Sequence, residues 1–384
     1  MKWEIAKLGD ISKNIQTGPF GSQLHQSDYS ECGIPVVMPK DLVGGKISEE
    51  SIARVDKTHV ERLCRHKIEV GDILYSRRGD VGRCAHVTKK EEGWLCGTGC
   101  LRVTIDSEKA DSRFVFFQLQ HPDTVGWVEK HAVGATMLNL NTTILSSVPI
   151  RLPALEIQKR IADILSAYDD LIENNQKQIK LLEEAAQRLY KEWFVDLHFP
   201  GHENTKVVDG VPEGWRKFPL EEIAPVVTGK KDANYGDKGG NYPFFTCSQE
   251  TITAPGYSFD TSAVILAGNG DFNVKLYRGK FEAYQRTYVL APFDHSNLFN
   301  LYFTVQDNME ALAKGASGST IKFLTKGMLQ KILVLTADKK VLDKFNDYEE
   351  NIQQKVEALK KQVEDLTEIR NRLLPKLMSG EVEV

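Results

Sequence analysis

The sequence lacks the features of membrane-spanning and secreted proteins. No apolar run approaches the roughly 18–20 residues that a membrane span requires, and the first residues do not form a signal peptide. Cysteine is sparse: there are six in 384 residues, and five of them precede residue 101, which argues against disulfides between distant segments. We therefore expect a cytoplasmic protein with free thiols and no membrane partner.

The usual signatures of metal sites are also missing. Cys96 and Cys100 have the spacing of half a zinc site, but Cys84 and His86, which could complete it, stand at an unusual spacing. The nine histidines are scattered, and none is spaced as a convincing ligand pair. We therefore expect no metal site in this chain.

Catalytic motifs are absent as well. The sequence has no Gly-x-x-x-x-Gly-Lys-Ser/Thr loop, no glycine-rich dinucleotide fingerprint, no His-Glu-x-x-His and no Gly-x-Ser-x-Gly. The segment Asn241-Tyr242-Pro243-Phe244 is similar to the Asn-Pro-Pro-aromatic loop of amino-methyltransferases, but it lacks the first proline, and we interpret it as an ordinary loop. We expect no catalytic residue and no cofactor in the chain itself.

The charge does not indicate a strongly basic nucleic-acid-binding protein. Net charge is −4, and residues 1–152 carry 20 basic and 19 acidic side chains, while residues 201–335 carry 14 of each. The acidic excess lies in residues 153–200 and 336–384. Only a local cluster of cations could face phosphates. We therefore expect tight binding to DNA only in complex with a partner that supplies some of the contacts.

What the chain does contain is an internal repeat. A shift of 184 residues places residues 148–189 on residues 332–373 without a gap, and nine positions match in character. The first members of these pairs are Val148, Ile150, Ile161, Ile172, Ile179, Leu182, Glu184, Arg188 and Leu189, and the second members are Ile332, Val334, Phe345, Val356, Val363, Leu366, Glu368, Arg372 and Leu373.

A weaker repeat, which needs small gaps, joins the two preceding segments. Its matches include Thr17-Gly18 with Thr228-Gly229, Ile73-Leu74 with Ile265-Leu266, and Gly79-Asp80 with Gly270-Asp271. The chain is therefore predicted to consist of a unit in residues 1–152, a long helix in 153–200, a second unit in 201–335 and a second long helix in 336–384.

Both helical segments carry a heptad seam, the spacing that keeps one apolar stripe against a partner helix. The first seam is Ile161, Leu165, Tyr168, Ile172, Asn175, Ile179, Leu182, Ala186, Leu189 and Trp193. The second is Phe345, Glu349, Ile352, Val356, Leu359, Val363, Leu366, Arg370, Leu373 and Leu377, with Pro375 as its first helix breaker. We expect the seams to pair. Whether these helices also dock a partner stays open at this point.

The two remaining segments mix strands and helices. Apolar runs at residues 35–38, 72–75 and 101–105 predict strands, and Asp111 predicts the capped start of a helix. Residues 198–214 are rich in turn residues and predict a linker. The predicted fold class is α+β, with two mixed α/β units separated by two long paired helices.

Polar and basic loops are the candidate binding sites. Arginine binds guanine or phosphate through two hydrogen bonds, and asparagine binds adenine in the same way. Each loop alone could equally be a solvated turn, but loops recur at corresponding places in both units. The candidates for DNA contact are Thr17, Ser22, Lys40, Arg77, Arg78, Arg83, Asn139 and Asn141 in the first unit, and Lys230, Lys231, Asn234, Tyr235, Asn269, Lys275, Arg286 and Lys322 in the second.

The whole chain resembles the specificity subunit of type I restriction-modification systems. The resemblance rests on Thr17-Gly18-Pro19-Phe20-Gly21-Ser22, on Gly71-Asp72-Ile73-Leu74-Tyr75-Ser76-Arg77-Arg78-Gly79, and on Val148-Pro149-Ile150-Arg151-Leu152-Pro153 before the first long helix. Two departures are that Ile157 separates Glu156 from Gln158, and that Thr336-Ala337-Asp338 replaces Leu-Pro-Ala. The loop Asn269-Gly270-Asp271 is also shorter than the arginine loop, so family contacts are not transferred into the second unit.

This resemblance implies two target recognition domains, each recognising half of a bipartite site in double-stranded DNA. It implies that the helices pair antiparallel with a pseudo-twofold repeat, set the spacer between the half-sites, and dock two modification subunits. S-adenosylmethionine, ATP and Mg²⁺ would then belong to these modification subunits and to restriction subunits that act as translocases. Two alternatives stay open: a coiled-coil interaction scaffold without a nucleic-acid role, and a self-sufficient DNA methyltransferase.

Overall fold

The computed structural model describes residues 3–134, 137–316, 318 and 322–384. Its packing separates unit 1, which contains the residues up to Asn175 together with Lys361–Val384, from unit 2, which contains Gln176–Lys360. The predicted boundaries at residues 152, 200 and 335 separate the long helices from the mixed segments. The packing instead groups each mixed segment with the helix halves that cover it.

Unit 1 begins with short strands and helices and leads into a long helix. Its strands are β1 (Glu4–Lys7), β2 (Ser12–Thr17), β3 (Tyr29–Ser30), β4 (Ile34–Val37), β5 (Leu42–Val43), β6 (Lys46–Ile47), β7 (Ala53–Val55), β8 (Ile73–Ser76), β9 (Cys84–His86), β10 (Leu95–Cys96), β11 (Cys100–Ile105) and β12 (Pro149–Leu152). Its helices are α1 (Lys57–Arg62), α2 (Ser112–Leu119), α3 (Pro122–His131), α4 (Thr142–Ser146) and α5 (Leu155–Tyr190), which continues into unit 2.

The sheets of unit 1 join segments that are distant along the chain. An antiparallel sheet has the order β2-β11-β8-β9, and a second sheet has the order β10-β4-β7-β3, in which β10 and β4 run parallel. β1 pairs antiparallel with β12, so the strand that leads into α5 is held by the beginning of the chain. The strands and the helix start predicted from the sequence are confirmed: Asp111 caps α2 by accepting hydrogen bonds from the backbone nitrogens of Arg113 and Phe114 at 3.0 and 3.1 Å.

Unit 2 repeats this plan with longer strands. Its strands are β13 (Val207–Val208), β14 (Val211–Pro212), β15 (Arg216–Pro219), β16 (Val226–Thr228), β17 (Tyr242–Phe245), β18 (Ile252–Ala254), β19 (Phe259–Ala267), β20 (Val274–Ala283), β21 (Thr287–Leu290) and β22 (Leu333–Thr336). Its helices are α6 (Leu220–Ile223), α7 (Leu298–Asp307), α8 (Met309–Gly315), α9 (Lys326–Gln330) and α10 (Lys339–Ser379), which continues into unit 1.

The main sheet of unit 2 matches that of unit 1. Its order is β16-β21-β19-β20-β17-β18, and its first four strands correspond to β2, β11, β8 and β9. β15 pairs antiparallel with β22 just as β1 pairs with β12. The weaker repeat seen in the sequence is therefore a repeat of structure, because its matched residues lie in corresponding strands or in the loops that follow them.

The two long helices pair antiparallel inside each unit. In unit 1, Asn175 donates a hydrogen bond to Gln362 at 3.2 Å, and the guanidinium of Arg370 lies 3.0 Å from Asp169. In unit 2, Lys360 pairs with Glu183 at 2.9 Å. All twenty predicted seam positions are buried or half-buried. The α+β class and the antiparallel pairing are confirmed.

The cores lie where the helices meet the sheets. In unit 1, Tyr75, Phe114 and Ile161 are fully buried in one cluster, which also contains Leu377 from α10. In unit 2, an aromatic cluster covers the end of α5 and the start of α10, and its members are Tyr190, Trp193, Phe194, Phe199, Trp215, Phe299, Phe303 and Phe345. These clusters fix each mixed segment to the helix pair.

Pro375, the first helix breaker of the second seam, does not end the helix. α10 continues through Pro375 to Ser379, and it ends at Gly380, whose φ of +74° is the left-handed conformation typical of a helix C-terminus. The last turn persists because Leu377 and Met378 are buried in the core of unit 1. Among the helices of the described residues, none is long and apolar enough to cross a membrane.

Candidate nucleic-acid interface

Four loop segments of unit 1 meet at one end of the β2-β11-β8-β9 sheet. They follow β2, connect β8 to β9, connect β10 to β11, and precede α4. Backbone hydrogen bonds tie them together: Gly18 N to Cys100 O at 2.9 Å, Arg77 N to Gly99 O at 2.8 Å, Gly79 N to Leu138 O at 3.1 Å, and Leu140 N to Arg77 O at 2.8 Å. The approach at Gly18 is so close that a Cβ there would lie 2.0 Å from the Gly97 carbonyl oxygen, which explains the glycine.

The three arginines of the β8–β9 loop have different environments. Arg77 is half-buried, with its guanidinium 5.7 Å from the centre of the Phe20 ring. Arg83 is held by Asp80, with 2.6 Å between Nε and Oδ2. Arg78 is exposed, and within the described part of the chain its side chain has neither a hydrogen bond nor an ion pair. The Arg77 side chain also lacks a hydrogen bond among the described residues, but its Nε is buried. Of the three arginines, Arg78 therefore combines an exposed side chain with a guanidinium that has no partner in the described chain.

The other candidates in unit 1 divide into two groups. Thr17, Ser22 and Asn139 belong to the joined loop segments, and Asn139 exchanges two backbone hydrogen bonds with Val133. Asn141 instead caps α4, since its side-chain oxygen accepts a hydrogen bond from Ile144 N at 2.8 Å. Lys40 donates to the carbonyl oxygen of Ser51 at 2.8 Å and lies outside the four segments.

Unit 2 assembles its loops with the same backbone bonds. Gly229 N donates to Thr287 O at 3.1 Å, Gly268 N to Arg286 O at 2.9 Å, Gly270 N to Lys322 O at 3.3 Å, and Leu324 N to Gly268 O at 2.8 Å. These bonds bring Asn269, Arg286 and Lys322 to the same end of the sheet. Lys231 joins them because its carbonyl oxygen accepts a hydrogen bond from Gln285 N at 2.9 Å.

Several unit 2 candidates are already engaged inside the protein. The Lys231 ammonium lies 4.3 Å from the centre of the Tyr235 ring. Lys275 donates to the carbonyl oxygen of Ser248 at 2.7 Å, and burial lowers its pKa. The candidates that remain exposed are Lys230, Asn234, Arg286 and Lys322.

Two aromatic residues at these loop ends were missed by the sequence analysis. Phe20 is 53% exposed beside Arg77, and Phe323 is 38% exposed beside Asn269. A signal for Phe20 was present, because a large apolar residue between two glycines of a loop has no core to enter. Phe323 carried no such signal, since its position depends on the pairing with Asn269.

The described residues contain no group of three or more His, Cys, Asp or Glu side chains that could hold a metal ion. Cys96 and Cys100 lie in the core between the sheets, and burial raises the pKa of Cys96 to about 12.

Comparison with known proteins identifies the family. Residues 1–184 and 212–365 both match the type I restriction modification DNA specificity domain. The chain is 37% identical over 176 residues to the type I restriction enzyme EcoDI specificity subunit of Escherichia coli, an alignment that spans 45% of this chain and 39% of that protein.

Two further relatives match over nearly the full length. The MjaIX specificity subunit of Methanocaldococcus jannaschii is 26% identical over 100% of this chain and 94% of its own. The crystal structure of a type I restriction-modification S subunit from M. genitalium superimposes with a TM-score of 0.67 at 18% identity, covering 98% of this chain and 96% of that chain. This last likeness concerns the fold alone.

Proposed function

Because the chain belongs to the family of type I restriction modification DNA specificity domains, we propose that it recognises DNA sequence for a type I restriction-modification complex. Each unit supplies a target recognition domain for one half of a bipartite site in double-stranded DNA. The proposal rests on one observation: at one end of the main sheet of each unit, the same backbone hydrogen bonds hold loops that carry different side chains. A shared frame with different side chains suits two different half-sites.

The charge distribution supports a role inside a complex. The two mixed segments are close to neutral, and two of their basic groups, Arg83 and Lys275, are engaged within the protein. Phosphate contacts dominate the affinity of most DNA-binding proteins. We infer that two modification subunits supply part of these contacts and that restriction subunits complete the assembly.

The paired helices are proposed to set the spacer and to dock the modification subunits. Large apolar side chains remain exposed on their outer faces: Leu171 and Ile369 in unit 1 are 50% and 47% exposed, and Leu181 and Tyr348 in unit 2 are 64% and 56% exposed. Contiguous apolar patches mark partner surfaces, and we infer that these side chains contribute to such surfaces. In this proposal the chain is not catalytic, and S-adenosylmethionine, ATP and Mg²⁺ are bound by the partner subunits.

Methylome mapping tests the proposal directly. Cells that express modification subunits with this chain should methylate adenine at one bipartite sequence, and cells that express the modification subunits alone should not. The same methylation pattern in both cells would contradict the proposal.

A second experiment separates the alternatives. The purified chain with DNA and labelled S-adenosylmethionine should transfer no methyl group, and transfer without added subunits would identify a self-sufficient methyltransferase. If no salt-sensitive binding to duplex DNA occurred even with the modification subunits present, the chain would be an interaction scaffold.

A further inference from the structure

Arg78 and Asn269 occupy the same place in the two units. Arg78 directly follows Arg77, whose backbone nitrogen donates a hydrogen bond to the Gly99 carbonyl oxygen. Asn269 directly follows Gly268, whose backbone nitrogen donates to the Arg286 carbonyl oxygen. A glycine follows each of them: the backbone nitrogen of Gly79 donates to the Leu138 carbonyl oxygen, and that of Gly270 donates to the Lys322 carbonyl oxygen. Each also forms an isolated antiparallel bridge with the segment before α4 or α9, Arg78 with Asn139 and Asn269 with Phe323.

Both side chains are available for a ligand. The Arg78 side chain is exposed, and Asn269 is half-buried. To the extent that the chain is described, neither the guanidinium of Arg78 nor the amide of Asn269 is hydrogen-bonded within the protein. This separates Arg78 from its neighbours, because Arg77 lies over Phe20 and Arg83 is paired with Asp80.

The chemistry that the two side chains share limits the kinds of ligand that both could bind. Both side chains can donate hydrogen bonds to phosphate oxygens, but asparagine is neutral and lacks the charge by which arginine attracts phosphate. Arginine and asparagine have in common a planar group that makes two parallel hydrogen bonds to one base edge. They differ in polarity: the guanidinium only donates and matches the O6 and N7 acceptors of guanine, while the amide donates and accepts and matches N7 and N6 of adenine.

We propose that Arg78 and Asn269 are equivalent base-recognising residues, with Arg78 bound to a guanine in one half-site and Asn269 to an adenine in the other. This inference rests on the proposed function and adds to it the residue and the base in each half-site. The residues that determine the base preference would then lie in the loops after β8 and β19, which are held by corresponding backbone bonds in the two units.

The test uses the complex of the full chain with its modification subunits. Methylome mapping and binding to duplexes with each base at each position of the site are carried out for Arg78→Gln. Glutamine binds adenine as asparagine does, so one position in one half-site should change from guanine to adenine, and the other half-site should be unchanged. Discrimination against the wrong base at that position should change by roughly 5- to 150-fold, the equivalent of one bidentate contact.

The reciprocal variants address the other half-site. Asn269→Arg should change one adenine to guanine there, and Asn269→Ala, which fits the same space, should lose discrimination at that single position. Arg216→Gln is the matched control, because Arg216 is an exposed arginine on β15, outside α5 and α10, and its replacement removes the same charge. It should leave the base preference unchanged.

The outcomes distinguish the inference from the proposed function. If Arg78→Gln weakened binding equally for all sequences, Arg78 would be a phosphate contact and the inference would be wrong. The same holds if Asn269→Ala kept its base preference. A wild-type complex without any sequence-specific methylation would overturn the proposed function itself.

Discussion

Glu349 is a carboxylic acid that is buried in the seam of the helix pair. It lies in the seam of α10, where the shift of 184 residues places Leu165 of α5, and both side chains are fully buried. Neither carboxyl oxygen of Glu349 finds a hydrogen-bond partner among the described residues, and burial raises its pKa to about 8. A carboxyl group thus occupies a site that the repeat fills with leucine in the other unit.

We predict that Glu349→Leu stabilises the protein. An unsatisfied buried polar group costs about 1–3 kcal/mol, and leucine at this position already packs in the other copy of the repeat. The free energy of unfolding, measured with denaturant at pH 5, where the carboxyl group of the folded chain is still protonated, should rise by about that amount. Leu165→Glu is the matched variant and should be destabilising; a stabilising effect of that change would contradict this account of the seam.

The pH dependence of this effect has a definite sign. In the folded chain Glu349 keeps its proton up to about pH 8, whereas the unfolded chain releases it above the ordinary value of 4.5. The free energy of unfolding is therefore highest, as far as Glu349 affects it, below pH 4.5. It falls as the pH rises to 8, by up to ~1.4 kcal/mol per pH unit, because the folded chain must keep a proton that the unfolded chain has released. The stabilisation by Glu349→Leu, measured from pH 5 to 8.5, should grow with pH, and a constant difference would show that Glu349 does not titrate in this range.

At the scale of the element, helices were easier to predict than sheets. The seam from Ile161 to Trp193 repeats within a few residues, so its spacing alone predicts the helix. The sheet that contains β10 and β4 joins residues 95–96 to residues 36–37, and no local pattern records that pairing. The loop ends depend on the same kind of distant contact, as in the bond from Gly79 to Leu138.

For two candidate site residues, the neighbouring sequence could have predicted the role that the structure shows. Asn141 stands directly before the helix Thr142–Ser146, and asparagine in that place is a common cap, so its role could have been predicted. The pairing of Arg83 with Asp80 also lies within four residues. The match of Gly79-Asp80 with Gly270-Asp271 already places Arg78 opposite Asn269. The backbone bonds that hold both loops, from Gly79 to Leu138 and from Gly270 to Lys322, could not be predicted from that match.

The end of α10 permits a prediction about a single element. Proline inside a helix removes a hydrogen bond and costs about 3 kcal/mol relative to alanine, and Pro375 is tolerated because Leu377 and Met378 beyond it are buried. We expect Pro375→Ala to raise the free energy of unfolding by about 1–3 kcal/mol. Gly380→Ala should lower it, because Gly380 has a positive φ and a Cβ there would lie 3.1 Å from the Trp3 ring. Destabilisation by Pro375→Ala would mean that a bend at this proline is needed for the packing of Leu377.

At the scale of the whole molecule, the repeat separates what is held constant from what varies. The sheet order β2-β11-β8-β9, the strand pair β1-β12 and the loop bonds recur in unit 2. The inserted strands differ, since unit 1 adds a separate sheet that includes β3 and β4, and unit 2 extends its main sheet with β17 and β18. A constant frame with variable insertions allows the two recognised half-sites to change independently while the helices keep pairing.

The helices themselves provide the last prediction. α5 passes from unit 1 to unit 2 between Asn175 and Gln176, and α10 passes back between Lys360 and Lys361. One heptad inserted at each point keeps the seam in phase and adds about 10 Å to each helix, the length of roughly three base pairs. If the helices set the spacer, methylome mapping should find the same two half-sites with a longer spacer. A heptad in α5 alone leaves its new seam residues without partners, so this control should lose methylation. An unchanged spacer with both insertions would leave the helices a structural role only.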